Sequence, residues 1–224
     1  MYAPSLCLHR RARIACAAAL LVVTLSPGLA VADSPSSPFP GLELVPSKNV
    51  GALYRRADVD ISAYSKIVIG EPVVEFSKNW NPRNYGTFGL SAAQLAKIRV
   101  ELAGMAKSVF AKSLSDGGYE IVTDAGEGVL AITPNIIDVF INAPDVPTAG
   151  RSRTYAMDAG SATLALQVND AVTGTLLAVA YDQRRGGTSS MRWTTSVSNR
   201  AAAGQMLKSW AEQLKRELDA ARAK

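Results

Sequence analysis

The side chains that carry out most protein chemistry stand at the front of this chain: Cys7, His9 and Cys16 are its only cysteines and its only histidine. Thiolate nucleophiles, imidazole bases, disulfides and the usual zinc and copper ligands all draw on those two residue types. Which chemistry is open to the working protein therefore depends on the fate of the first thirty residues.

Arg10–Ala32 reads RRARIACAAALLVVTLSPGLAVA. Three arginines precede an apolar block from Ile14 to Leu25, a Ser26-Pro27-Gly28 turn follows, and Ala30 and Ala32 supply the small residues that a signal peptidase requires. About twelve apolar residues are too few for a membrane span, which takes roughly twenty. The pattern predicts a secretory leader over residues 1–32, cut before Asp33, and a periplasmic or secreted mature protein. General secretion fits better than twin-arginine export, because Ala12-Arg13-Ile14 is a poor continuation of a twin-arginine signal. A lipoprotein cysteine would follow the apolar block, whereas Cys16 stands near its start, so lipidation is not expected.

Cleavage there removes every cysteine and the histidine. A Ser-His-Asp triad is then impossible, and the sequence holds no Gly-x-Ser-x-Gly, no Ser-x-x-Lys and no Walker loop. A carboxylate pair could still do acid/base work, and Glu71 with Glu75 would share one face of a strand, although surface solubility explains both. The expectation is a protein that is not an enzyme, with no cofactor and no bound metal.

The remaining charge is 21 Lys and Arg against 19 Asp and Glu, too even a balance to predict nucleic-acid binding. From Arg184 onward nine basic residues face three acidic ones. That end of the chain either meets anionic lipid or glycan, as a peripheral contact with no span in the mature chain, or complements the dipole of a terminal helix.

The elements that would position any site can be read from residue 33 onward. Asp33–Ser47, DSPSSPFPGLELVPS, has four prolines and four serines and reads as a tether over residues 33–47, leaving one domain over residues 48–222. Lys66–Ile69 and Val73–Phe76 are β-rich runs around Gly70-Glu71-Pro72 and read as one bent strand. Ser91 with Gln94 forms a capping box that opens a helix. Leu95, Ile98, Leu102, Met105 and Val109 then make one apolar stripe, expected to be core rather than a cofactor lining, and Gly117-Gly118 ends the helix. Tyr119–Val122 starts the next strand, and Gly126-Glu127-Gly128 reads as a tight turn rather than a phosphate cradle, since no helix follows it.

Further strands are expected near Val129–Ile141, Ala162–Val168 and Leu176–Tyr181, with Asp170–Gly174 as hairpin chemistry between the last two. A final helix from about Asn199 to Ala221 repeats Met206 (or Leu207), Trp210, Leu214 and Leu218. The predicted fold class is α+β, a single antiparallel or mixed sheet of about five strands with two helices packed on one face.

Tyr64–Val73 (YSKIVIGEPV), Gly118–Leu130 (GYEIVTDAGEGVL), Asp138-Val139, Asp182–Gly186 (DQRRG) and Trp210–Leu214 (WAEQL) together resemble the bacterial domain-of-unknown-function 3313 family. The likeness covers about Leu44 to Ala220. Members of that family are usually exported and often classed as lipoproteins, a habit from which this chain departs because of the place of Cys16. The resemblance implies fold and export and supplies no catalytic residue.

Three irregular segments remain as candidates for recognition. Ser77–Leu90, SKNWNPRNYGTFGL, carries Trp80, Arg83 and Tyr85, residue types common at binding hot spots. The competing reading is a loop folded over the sheet edge, with Trp80 and Phe88 as its lid. Ala143–Gly160 is longer than a hairpin needs and carries Arg151, Arg153 and Tyr155, and Arg184-Arg185 opens a third stretch that reaches Trp193. The expected partner is another envelope protein; the alternative is a small ligand or a glycan, stacked on Tyr85 or Trp80 and held by Arg151 or Arg153.

Overall fold

The computed structural model describes residues 37–84, 89–142, 155–193 and 196–223, with side-chain detail for all but 155–159, 186–193 and 196–198. Ser37–Lys224 form one unit of the chain, and the fold described here belongs to it.

At its centre lies a meander. Strand β6 (Val129–Ile141), β7 (Tyr155–Asp170) and β8 (Leu176–Trp193) pair antiparallel in succession. The β7–β8 hairpin closes as its residue types dictate. Asp170 Oδ1 accepts from the amides of Val172 and Thr173 (3.0 and 2.7 Å), its own amide donates to Thr175 O, and Gly174 takes the positive φ of 69°. Both strands run far past their expected ends. β8 continues through Arg184 and Arg185 to Trp193, where a flexible stretch was expected, and residues 155–160 of the Ala143–Gly160 linker already belong to β7.

Strand β3 (Lys66–Ile69) and β4 (Val74–Phe76) lie one after the other along β6, both parallel to it. The bent strand read from the sequence is thus a strand broken at Gly70–Val73, where Pro72 has no amide to donate. The ladder is held across the break by Gly70 N to Ile132 O and Ile136 N to Val73 O, each 2.9 Å. Strand β5 (Glu120–Val122) adds to the far side of β3, again parallel. The Gly126–Gly128 segment between β5 and β6 is a turn, closed by Val129 N to Gly126 O.

Two strands were not anticipated. β1 (Glu43–Val45) pairs with β2 (Ala52–Arg55), and β2 pairs with residues 178–181 of β8. The sheet is therefore mixed and eight-stranded rather than five-stranded, in the order β1-β2-β8-β7-β6-β3-β5 with β4 beside β6. Part of the expected tether is inside the fold: Leu42 is buried, and the Phe39 ring lies 5.2 Å from that of Tyr54 and 6.2 Å from that of Tyr181. The count of prolines and serines concealed an apolar run, Phe39, Leu42, Leu44 and Val45, that the sheet edge recruits.

Helix α1 (Ala92–Asp116) begins at the predicted cap. Ser91 Oγ accepts from Gln94 N, the Gln94 side chain accepts from Ser91 N, and Gly117 closes the other end. Helix α2 (Ser196–Arg222) is three residues longer at its start than expected. Contacts at Glu101–Arg200, Met105–Gly204 and Gly117–Lys215 advance together along both helices, so the two run side by side in the same direction.

Both helices bury side chains against one face of the sheet. Ala106, Phe110 and Leu114 of α1 and Leu207, Trp210, Ala211, Leu214 and Leu218 of α2 join Ile67, Ile132 and Leu164 in one core. Among the described residues, no helix is long and apolar enough to cross a membrane.

The C-terminal half of α2 is fastened by polar contacts to the segments before β3 and β5. Tyr119 Oη donates to Asp219 Oδ1 at 2.7 Å, Lys215 pairs with the other oxygen at 2.6 Å, and Arg222 lies over the Tyr119 ring while donating to Tyr64 O. Tyr64 Oη in turn donates to Asp170 Oδ2 at 2.9 Å. Between the N-terminal halves of α1 and α2, which Arg200 and Glu101 join, the packing opens.

Candidate functional site

The opening is a cavity of about 220 Å³ between the two helices and the sheet. From α1 it takes Ile98, Leu102 and Met105, three members of the predicted apolar stripe. The fully buried positions of α1, Ala106, Phe110 and Leu114, lie on a neighbouring face. The stripe is accordingly only half-buried, and its N-terminal part lines the cavity instead of closing the core. From α2 come Ala202, Ala203 and Met206, with Trp210 at the inner end. Alanines opposite Leu102 and Met105 leave the space that larger side chains would fill.

The floor is shaped by an irregularity in the sheet. Register moves from Ile137↔Thr163 to Phe140↔Ser161, so Asp138 and Val139 of β6 face Ala162 alone on β7. Asp138 has φ 50°, the one non-glycine residue with positive φ among those described, and Asp is one of the few types that tolerates it. Further along β7, opposite Ile141, Gly160 has φ 136°, and a Cβ there would lie 1.9 Å from Phe140 O. Bulges of this two-against-one kind redirect side chains and recur beside binding sites. Here the bulge turns Val139 inward, and Val139, Phe140, Gly160 and Ala162 line the floor.

One ion pair bridges the mouth. Arg200 Nη2 stands 2.8 Å from Glu101 Oε2, joining α2 to α1, and Lys97 Nζ is 3.9 Å from the other Glu101 oxygen. The lining is mostly hydrocarbon and thioether, with Ser161 and Asn199 as neutral polar members and Glu101 and Arg200 as the charged ones. Such an arrangement can hold an apolar group away from water. An engineered apolar cavity of about 150 Å³ suffices for benzene, so this one has room for a ligand fragment of at least that size.

Of the residues singled out from the sequence, Trp80, Arg83, Arg184 and Arg185 are described with their side chains, and Trp80 and Arg184 are engaged in separate places. Trp80 is the lid of the competing reading: it is 6% exposed, its ring stacks 4.7 Å from Phe76, and its Nε1 donates to Ile141 O at 2.9 Å. Arg99 lies over the other side of that stack, 4.9 Å from the Phe76 centroid. Arg83 is exposed on a short 3-10 turn, Pro82–Asn84. Tyr85, Phe88, Arg151 and Arg153 lie outside the described residues, and of Tyr155 the structure gives only its backbone pairing with Trp193.

Arg184 and Arg185 point to opposite faces of β8. Arg185 is exposed, opposite Ser161. Arg184 is turned toward α2, where its Nε meets Asp182 Oδ2 at 2.7 Å, its two terminal nitrogens donate to Ser209 Oγ and Gln213 Oε1, and its guanidinium lies 5.9 Å from the Trp210 ring. Asp182 Oδ2 also accepts from Trp210 Nε1 at 2.8 Å. This network binds sheet to helix and leaves Arg184 no free donor face toward a partner. Of the carboxylates, Glu71 pairs with Lys107 from the break before β4, and Glu75 is exposed on β4.

Sequence reasoning missed the cavity. The signal available was the run Ala201-Ala202-Ala203-Gly204, small residues on a helix that must face a stripe of Ile, Leu and Met.

Several solved structures show a distant likeness to the chain. A PelC dodecamer from Paraburkholderia phytofirmans is 11% identical, with 70% of this chain and 94% of that chain covered at a TM-score of 0.35. A Xanthomonas campestris protein of family DUF330 is 15% identical, with 69% and 83% covered at 0.37. A DUF4136 family protein from Bacteroides thetaiotaomicron is 11% identical, with 78% and 98% covered at 0.30. No curated protein matches the chain in sequence. The family model described as a protein of unknown function, DUF3313, matches residues 36–214, and the chain belongs to that family.

Proposed function

We propose that this is an exported, non-enzymatic binding protein of the cell envelope, and that the cavity between α1 and α2 holds the apolar part of a small ligand. The observation that carries the reading is the cavity itself: a mostly apolar chamber of about 220 Å³, with Glu101 and Arg200 as its charged lining residues, set over a sheet bulge at Asp138 and Val139. Pockets of this make-up, mostly apolar with a few placed polar groups, are the usual form of small-molecule sites. A cleaved leader over residues 1–32 supports export, and a mature chain without Cys or His supports action by contact rather than by bond-making. The reading that a partner protein docks on the loops has less support, because Trp80 and Arg184 are engaged inside the fold.

The test is titration of the mature protein with the apolar fluorophore N-phenyl-1-naphthylamine, alongside Ala203→Trp, which fills the chamber. The wild type should brighten the dye saturably, and dye at 100 times its dissociation constant should add about 2.7 kcal/mol of stability, or roughly 5–10 °C in Tm for a domain of this size. Ala203→Trp should lose the signal while keeping a cooperative melt. Absence of dye binding in the wild type, or equal binding by Ala203→Trp, would overturn the reading.

A further inference from the structure

We infer that the ligand of this cavity is an aliphatic chain with an anionic head, and that Arg200 receives the head by exchanging Glu101 for it. The inference rests on the cavity reading and adds to it the chemistry of the ligand's polar end.

Apart from Glu101 and Arg200 the lining carries no charge: Ile98, Leu102, Met105, Ala203 and Met206 present hydrocarbon and sulfur, and Ser161 and Asn199 are its neutral polar members. A ligand that fills it must therefore be apolar along its buried length and leave any polar group at the mouth. Arg200 and Glu101 line the mouth, and Lys97, outside the lining and one turn earlier on α1, pairs with the other Glu101 oxygen, so the described charges here are two cations to one anion. A carboxylate or phosphate arriving with the chain meets two cations and one anion, whereas a quaternary ammonium meets the same excess with the wrong sign.

Arg200 already shows the geometry such a head needs, because its guanidinium binds a carboxylate at 2.8 Å in the present arrangement. The planar fork accepts a second carboxylate in place of the first without changing its own requirements. The displaced Glu101 keeps Lys97 as a partner 3.9 Å away. The exchange is also cheap: Arg200 and Glu101 side chains are 57% and 41% exposed, and ion pairs of that exposure are weak and screened by salt. A latch this weak suits a mouth that must admit a chain.

The experiment is displacement of N-phenyl-1-naphthylamine by decanoate, decanol and decyltrimethylammonium at neutral pH and low salt, with wild type, Arg200→Gln and Glu101→Gln. In the wild type decanoate should bind roughly two- to fivefold more tightly than decanol, the range of an exposed charge contact, and decyltrimethylammonium more weakly than decanol. Arg200→Gln should bring decanoate to the level of decanol and leave decanol where it was. Glu101→Gln, which frees Arg200, should tighten decanoate by a similar factor.

Equal affinity of decanoate and decanol in the wild type overturns the inference while dye and decanol binding keep the cavity reading intact. Arg200→Gln weakening all three chains alike overturns it too, since that would make Arg200 a structural support. If neither dye nor any chain binds, the cavity reading fails and takes this inference with it.

Discussion

Replacing Asp182 by Ala should be among the most damaging single changes on β8, although the residue is an aspartate on a strand next to two arginines. Its Oδ2 accepts from Trp210 Nε1 at 2.8 Å and from Arg184 Nε at 2.7 Å, and its Oδ1 accepts from Gly51 N at 3.2 Å. Trp210 is a fully buried side chain, so losing the acceptor strands its N–H away from water, at about 1–3 kcal/mol. Arg184 keeps Ser209 and Gln213 but loses its counter-charge. Removing one partner of a fully buried pair costs about 3–5 kcal/mol, and side-chain exposures of 26% for Arg184 and 14% for Asp182 place this pair at or below the lower end. Both losses come from one carboxylate and are not additive, so the expected total is about 3 kcal/mol, or roughly 6–12 °C in Tm. Urea unfolding followed by tryptophan fluorescence measures it. The decisive comparison is a double-mutant cycle with Trp210→Phe, which removes the donor. If the hydrogen bond is the mechanism, Asp182→Ala should cost at least about 1 kcal/mol less in the Trp210→Phe background. Strict additivity, or a loss below about 1 kcal/mol for Asp182→Ala alone, would refute the reasoning.

At high pH the Tyr119 phenol should titrate late. Burial, and then the hydrogen bond it donates to Asp219, push its pKa from 10.0 up to about 12. The raised value means that the fold favours the protonated phenol, so this contribution to stability is complete below pH 10 and is lost as pH rises toward 12. Absorbance at 295 nm should show the delayed step, and Tyr119→Phe should abolish it. On the acid side Asp219, held low first by the hydrogen bond from Lys215 and then by that from Tyr119, contributes above pH 3.8 and ceases to do so as pH falls through its lowered value. Gly160→Ala should destabilise by at least about 2 kcal/mol, since it adds a left-handed strain to a Cβ placed 1.9 Å from Phe140 O. Chemical denaturation reads that change, and a neutral Gly160→Ala would mean that the bulge is not fixed as described.

Much of the fold was legible because local chemistry and tertiary outcome agree in it. The Ser91–Gln94 box and Gly117 bound α1 by bonds that lie within a few residues of one another. Likewise Asp170 and Gly174 fold their hairpin by themselves. What escaped notice depends on distant partners. β1 and β2 are three and four residues long, too short to show alternation, and exist because β8 offers them an edge. The upper half of β8 contains Gly186 and Gly187, which read as loop, yet each pairs with β7. Strand length there is set by the neighbour and not by the residues.

The candidate site shows the same division, with a sharper consequence. Trp and Arg were singled out in irregular segments because those types dominate binding surfaces, but they are also the types that close internal gaps in which a ring must pack and a donor must be satisfied. Trp80 does so against Phe76 and Ile141 O, and Arg184 against Asp182, Ser209 and Gln213. One residue further on, Arg185 is exposed on the opposite face, a difference that composition cannot express and strand parity can. The cavity is the converse case. No side chain there is unusual, and the feature arises where Ala202 and Ala203 of one helix meet Leu102 and Met105 of another about a hundred positions earlier. A site made of missing volume leaves its trace in small residues set opposite large ones, and it becomes visible only once the two helices are known to run side by side.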